Sequence, residues 1–423
     1  MKKTVQGLAL SAIASSVVMA GGYKIPEQSL NSMALGAAYV AHTTGADTAY
    51  YNPANMAFMD ADTSYVEGAL TLAHLPSIKY TLQFPASGKS ETENLVIPSF
   101  HYVAPVIEGW DAFRWGLSLV VPGGLTKRWE TPFQKATAEE FTLKVIELNP
   151  SMSYKIAENF SVGAGLRMIY SEGVVKSNSA YASAIDPRVP SAARDMNGDT
   201  IEFGYNLALT YKPTSDIILA ATYRSNIDLK EEGNAKIYAA PYGLLYDGDA
   251  SVEVPLPAAL NVAVSKTWNN QFTLEFNYER TFWSEYDKLD FDYSSFGSWY
   301  VPAAFDAPIP KNWDDTNTFR IGATIKMDNK ITAMIGFAID DTPVPQETVG
   351  FELPDSDAKI FSMGFRYQQT EDISWGAAFL YDSKESFSLT RGAHVDPRSL
   401  LNNGGTFSGG GAFLATLGMS YEF

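Results

Sequence analysis

The chain of 423 residues contains no cysteine. No disulfide can hold it, so a small crosslinked secreted scaffold is excluded. It also lacks any uninterrupted apolar run of the roughly 18 residues that a spanning helix needs, which rules out a bundle of transmembrane helices. Positive charge is scarce. With 31 Lys and Arg against 48 Asp and Glu, the formal charge is −17 and no basic cluster exists, so nucleic acid is not an expected partner. Only four histidines occur, His42, His74, His101 and His394. None sits at metal-ligand spacing or in a lipase-like motif, so neither a metal site nor a hydrolase is expected. No nucleotide-binding loop and no energy-coupling motif is present. The expectation is a protein without cofactor or catalytic activity.

What the chain does have begins with a leader. Met1 to Ala20 carries Lys2 and Lys3, an apolar run from Leu8 to Val18, and then Val18-Met19-Ala20. This is the pattern of a secretory signal peptide, 1–20, with Gly21 as the first mature residue. Gly21 to Asp60 follows, rich in small residues, nearly uncharged and without alternation. Asn52-Pro53-Ala54 predicts a short helix there, because Asn suits an N-cap and Pro the first helical position. Leu30, Met33, Leu35 and Tyr39 offer an apolar surface. The stretch reads as a compact helical hatch, 21–61.

The remainder, 62–423, alternates with period two. Phe413, Ala415, Leu417, Met419, Tyr421 and Phe423 form one face of a strand, with Leu414, Thr416, Gly418, Ser420 and Glu422 on the other. The same pattern recurs at 160–170, 201–211, 272–279, 319–327 and 361–367. Tyr, Phe and Trp gather at strand ends, where the interfacial girdles of a barrel lie. Tight polar turns at Ala157–Asn159, Pro213–Asp216, Asn269–Asn270, Asp328–Lys330 and Thr370–Asp372 alternate with long links near 122–138, 178–199, 231–250, 288–316, 341–357 and 386–405. The count from Thr63 is 14 strands. The predicted fold is all-β: a 14-stranded antiparallel transmembrane β-barrel whose lumen the hatch plugs. Asp195-Met196-Asn197-Gly198-Asp199 reads as a turn before strand six rather than a calcium loop, since the downstream Glu is missing.

In the third strand, the outward row Phe113, Trp115, Leu117, Leu119, Val121 breaks at Pro122-Gly123-Gly124. Pro removes a ladder donor and Gly-Gly tolerates unusual dihedrals. Either the strand ends here, or it kinks and opens the wall sideways.

These pieces resemble a known family, the FadL/TodX outer-membrane transporters of long-chain fatty acids and other hydrophobic compounds. The resemblance rests on Gly22-Tyr23 with Glu27, Leu35-Gly36-Ala37-Ala38-Tyr39, Asn52-Pro53-Ala54, Gly124-Leu125 and Thr222-Tyr223-Arg224-Ser225. Asp340-Asp341-Thr342-Pro343-Val344-Pro345 and Leu353-Pro354-Asp355 complete it. It implies passive uptake across the bacterial outer membrane, with Tyr23 and Ile25 occluding an interior pocket. Movement of the hatch would then release ligand through the kink at Pro122, Gly123 and Gly124. Arg167 and Lys176 are the expected carboxylate partners, Lys176 by analogy with a basic residue on the family's fifth strand. After Pro122 this chain departs from the family pattern in reading Gly-Gly-Leu-Thr-Lys-Arg-Trp. Arg114, Arg167, Arg224, Arg320 and Arg366 are expected to point inward, paired with wall carboxylates such as Glu202, Glu275 or Glu279. The expected partners are a hydrophobic small molecule, outer-membrane lipid and, from the terminal Phe423, the barrel assembly machinery. A monomer is expected. The alternatives are a channel for monoaromatic hydrocarbons and an open general-diffusion porin.

Overall fold

The structure is a computed structural model that describes residues 21–83, 86–294 and 303–423; the expected leader lies outside them. Fourteen antiparallel strands close into a barrel. The first six are β1 (Tyr65–Leu75), β2 (Glu93–Val103), β3 (Phe113–Arg128), β4 (Glu140–Ala157), β5 (Phe160–Asn178) and β6 (Ala192–Tyr211). Two strands come in two pieces each, β7 (Ile217–Arg224 and Ile227–Ala239) and β8 (Gly243–Leu256 and Ala259–Trp268). The rest are β9 (Phe272–Thr281), β10 (Thr316–Lys326), β11 (Ile331–Asp340), β12 (Ala358–Gln368), β13 (Ile373–Lys384) and β14 (Ala412–Glu422). Pairing of β14 with β1, from Tyr65↔Glu422 to His74↔Phe413, closes the ring. Closure removes the sheet edge, which a bilayer core without water would otherwise leave unsatisfied.

The period-two pattern faces lipid on one side and the lumen on the other. On β6, Ile201, Phe203, Tyr205, Leu207, Leu209 and Tyr211 are exposed, while the intervening Asn206, Ala208 and Thr210 are buried. The same outward row then becomes Asp199, Asn197 and Asp195. The apolar band therefore ends between Ile201 and Asp199, and the strands beyond it stand in water. This explains where the predicted links differ from the structure. Much of 178–199 and 231–250 is strand, including Asp195–Asp199 inside β6, and only a short turn joins β7 to β8. Above the membrane the outward face is charged, so the hydrophobic contrast that marks a strand in sequence is lost. The five tight turns fall between strands as read, with Asn269 and Asn270 at φ 53° and 54°.

Residues 21–60 lie against the inward faces of the wall. A short helix α1 (Leu30–Ala34) is buried throughout and capped by Ser29, whose Oγ accepts from the Ser32 N–H at 3.2 Å. Then come α2 (Thr48–Tyr51) and a 3₁₀ turn, Pro53–Phe58. Glycine on the inward rows makes the close approach possible. A Cβ at Gly336 would meet the Leu35 carbonyl carbon at 2.1 Å, and one at Gly163 the Ala54 nitrogen at 2.6 Å. Polar tethers add to this: Glu275 accepts the N–H groups of Val40 (2.6 Å), Ala41 (2.9 Å) and His42 (2.7 Å). Pro53 does open a helical turn, but Asn52 makes no side-chain cap. Its Nδ2 instead donates to the Val40 carbonyl and to Thr210 Oγ1, both at 2.9 Å.

Candidate functional site

The barrel ladder is weakest between β2 and β3. These strands pair only from Phe100↔Leu119 to Val103↔Gly116. Above that they part, and they meet again at the Ser90↔Trp129 bridge and the Arg128–Glu93 ion pair. Strand β3 does not end at Pro122. It continues to Arg128, with its register against β4 shifted between Val120 and Gly123. Pro122, Gly123 and Gly124 thus sit on a bulged strand whose β2 side has no partner strand.

The N-terminal segment supplies that partner. Lys24 bridges antiparallel to Gly123; the Ile25 N–H donates to the Pro122 carbonyl at 2.9 Å, and the Gly124 N–H to the Tyr23 carbonyl at 2.8 Å. Just below, Gln28 completes the edge with its carboxamide. Its Nε2 donates to the Val121 carbonyl at 2.8 Å and its Oε1 accepts the Val121 N–H at 2.9 Å. Ile25, Val121 and Ile97 pack in one apolar cluster behind the gap. The structure therefore brings together five residues read from sequence, Tyr23, Ile25, Pro122, Gly123 and Gly124. Gln28 was missed, because a lone Gln among small residues carries no signal.

Tyr23 sits in an aromatic cage, 4.8 Å from the Trp283 ring centroid, 5.8 Å from Trp313 and 6.4 Å from Tyr286. Its hydroxyl donates to the Pro255 carbonyl. Two cavities meet the segment. The outer one is lined by Tyr23, Phe141, Leu143, Val175, Val252 and Val254, among others, and holds about 30 Å³ of open space. The inner one, about 70 Å³, touches Lys24, Ile25, Pro122 and the wall arginines. The outer space takes only a water or two, so a ligand the size of a benzene ring enters only if the lining moves.

The arginines face inward, and each is already engaged. Arg167 Nη2 lies 3.0 Å from Glu147 Oε2, and its Nη1 donates to the Ser225 carbonyl at 2.7 Å. Arg224 pairs with the same Glu147 and lies over the Tyr50 ring at 4.2 Å. Arg320 pairs with Glu279 at 3.2 Å, and Lys24 holds the same carboxylate at 2.6 Å. Burial lowers the Lys24 pKa from its ordinary value, with attraction from Glu279 working the other way. Arg366 pairs with Glu67 at 2.9 Å, while Arg114 donates to the carbonyls of Ala104, Asp60 and Thr63. Of the carboxylates expected to pair with these arginines, only Glu279 does so. Glu275 holds backbone amides of the segment, and Glu202 accepts from Thr200.

Lys176 requires a correction. It lies directly opposite Glu140 across the β4–β5 ladder, pairs with it at 3.1 Å, and lines neither cavity. The inward row of β5 runs Arg167, Ile169, Ser171, Gly173, Val175, and Lys176 falls between Val175 and Ser177. Arg167 and Lys176 are an odd number of positions apart on one unbroken strand, so they cannot share a face. Arg167 lines the inner cavity, but as one member of the Glu147 cluster rather than as an uncommitted cation.

One Ser/His pair does occur on neighbouring strands. His101 Nδ1 and Ser118 Oγ are 2.9 Å apart, both fully buried, and His101 Nε2 is 2.9 Å from the Gln28 carbonyl. The imidazole joins segment to wall, with no access for a substrate.

The family profile described as "Outer membrane protein transport protein (OMPP1/FadL/TodX)" matches residues 11–423. The chain belongs to this family. Its members are outer-membrane transport channels rather than enzymes, and the outer membrane is where this barrel resides. A "Long-chain fatty acid transport protein" of Escherichia coli O6:H1 is 25% identical over 426 residues, covering 90% of this chain and 92% of that protein. "Outer membrane protein P1" of Haemophilus influenzae is 24% identical, covering 80% and 82%. Among solved structures, a FadL homologue of Pseudomonas aeruginosa superposes with a TM-score of 0.79 at 22% identity, covering 95% of this chain and 99% of that one. The toluene transporter TodX of P. putida superposes with 0.70 at 18% identity, covering 93% and 98%. At these identities the structural likeness speaks to the fold: the closed 14-strand barrel.

Proposed function

We propose that this protein takes up hydrophobic compounds passively across the outer membrane, that residues 21–61 act as its hatch, and that ligand leaves sideways between β2 and β3. The single observation that carries the reading is the third-strand gap, whose missing neighbour is supplied by Tyr23–Gln28. An interruption costs backbone hydrogen bonds in a medium with no water to replace them, and here they are made good by a separable segment rather than by the wall itself. A ligand that displaces Tyr23 from its aromatic cage also withdraws Ile25 and Gln28 from the bulge, because all three lie on one short stretch of chain. Long-chain fatty acids and toluene, the compounds named for the relatives, share an apolar body that would suit the apolar lining of the outer cavity once that lining moves apart. The cations that line these two cavities, Lys24, Arg167, Arg224, Arg320 and Lys311, are already paired, so the cavities make no special provision for a carboxylate. An open general-diffusion porin is disfavoured by the buried segment across the lumen.

The test uses the absence of native cysteine. Lys24 and Gly123 form the non-hydrogen-bonded pair of an antiparallel bridge, the arrangement with the shortest Cα separation, about 4.5 Å, and within disulfide reach. Cells expressing Lys24→Cys/Gly123→Cys should lose uptake of labelled oleate and toluene when oxidised, and regain it on reduction. Unchanged uptake in the fully oxidised barrel would sink the hatch mechanism.

A further inference from the structure

The outer piece of β7 carries one misfit. Its inward row runs Ile227, Leu229, Glu231, Gly233, Ala235, Ile237, and Glu231 is 1% exposed. Neither Oε atom has a hydrogen-bond partner among the described residues. The carboxyl lines the outer cavity together with Phe141, Leu143, Val175, Val252 and Val254. Glycine opposite makes room for it: a Cβ at Gly173 would come within 3.4 Å of Glu231 Cγ. Ser171, two residues along the same inward row of β5, is also fully buried with an unpartnered Oγ. The lysine of this cavity, Lys311, is committed to Glu352.

A buried carboxyl whose polar neighbour is a single hydroxyl, here Ser171, costs on the order of 1–3 kcal/mol as a neutral group and far more as an anion. Such a group stays protonated. Glu231 lies beside the Glu232↔Asp199 pair, above the level at which the outward row turns from apolar to charged. There burial, with Asp199 and Glu172 adding to it and Ser171 opposing, pushes its carboxyl up to about 8. A neutral carboxyl beside a hydroxyl offers one strong donor and several acceptors. That set is complementary to a hydroxyl group. It is a poor host for a carboxylate, which would meet Glu231 with no uncommitted cation in the lining of this cavity to balance it.

We propose that Glu231 is a selectivity residue of the outer cavity, hydrogen-bonding a neutral hydroxyl-bearing hydrophobe, a phenol or a fatty alcohol, in preference to a carboxylate. This refines the uptake reading above and rests on it. The decisive comparison uses three compounds on one skeleton, p-cresol, toluene and p-toluate, as initial uptake above a vector control in cells lacking other uptake channels. Wild type should take up p-cresol faster than p-toluate. Glu231→Leu should lower p-cresol about tenfold, as the loss of one hydrogen bond of ~1.4 kcal/mol predicts, with toluene unchanged. Glu231→Gln, which still hydrogen-bonds, should keep most p-cresol uptake. An unchanged cresol-to-toluene ratio in Glu231→Leu, or p-toluate fastest in wild type, overturns the proposal while leaving uptake itself intact. If none of the three exceeds the vector control, the uptake reading fails and takes this inference with it. Infrared difference spectroscopy on outer-membrane vesicles gives a readout independent of the leucine variant. A protonated-carboxyl band at pH 7, assigned by its loss in Glu231→Gln, should shift with p-cresol and stay put with toluene. Its absence at pH 7 contradicts the proposal.

Discussion

Two breaks in the barrel wall are closed in different ways. Between β2 and β3 the missing partner comes from the N-terminal segment, through Tyr23, Ile25 and Gln28. Between β6 and β7 the ladder also lapses, from Asn206↔Arg224 to Asp199↔Glu232. There the wall patches itself. The Ser225 N–H donates to the Tyr205 carbonyl at 2.9 Å, Ser225 Oγ accepts the Tyr205 N–H at 3.0 Å, and Ile227 lies over Gly204. A break sealed by the wall's own residues can open only if the barrel deforms. One sealed by a separate segment opens when that segment moves, at the cost of a few hydrogen bonds. Of these two, the β2/β3 break is the one suited to the proposed exit.

The largest effect should fall on the self-sealed side. Arg167 reaches Ser225 while Glu147 neutralises both Arg167 and Arg224, and Glu147 is wholly buried. Glu147→Leu leaves two guanidiniums together without an anion, which should destabilise the barrel by about 3–5 kcal/mol. The check is the temperature at which the folded barrel loses its fast mobility on a gel. Arg167→Met should do less, since Arg224 still compensates Glu147. Equal losses in the two variants would show that the cluster is not what seals this side.

On the other side, Gln28→Ala removes both partners of Val121. Two buried backbone groups left unmatched cost about 1–3 kcal/mol each, and the penalty falls on the seated segment rather than on the barrel. The expected result is faster hydrogen exchange at Val121 and easier proteolysis near Tyr23, with gel mobility unchanged. If thermal stability falls as far as in Glu147→Leu, the segment is part of the wall and the contrast between the two breaks disappears.

Much of this was legible in the sequence because a barrel writes its two faces on alternate residues. The strand count, the tight turns and the N-terminal stretch outside the pattern all follow from that alternation and its interruptions, whereas the break at Pro122-Gly123-Gly124 left open whether the strand ended or kinked. Parity also contained more than was drawn from it. It places Lys176 off the face of Arg167, and it isolates Glu231 as the acid in the row Ile227, Leu229, Glu231, Ala235, Ile237. The upper strands were harder to see, since β6 above Ile201 is polar on its outer face. Gln28 and the sharing of Glu147 by two arginines could not be seen at all. Both depend on which strands become neighbours across the lumen, and no local pattern encodes that.

The smallest expected effect is a pH dependence of the gate. Glu27 precedes Gln28 in the seated segment, is 3% exposed, and has both carboxyl oxygens unpartnered among the described residues. Burial raises its pKa from 4.5 to about 7, with Arg320 opposing and Asp340 and Asp382 adding to the rise. When the segment withdraws and Glu27 meets water, its pKa returns towards 4.5. Below 4.5 the carboxyl is protonated in both states and contributes no pH dependence. From 4.5 to about 7 the withdrawn form ionises first, so the seated form loses ground as pH rises, and the loss is complete above 7. Uptake limited by hatch release should therefore increase across this window in wild type and stay flat in Glu27→Gln, the two coinciding below pH 4.5. An identical pH profile in Glu27→Gln would show that this carboxyl is solvated or paired during transport, and would remove charge at Glu27 from the difference between the two breaks.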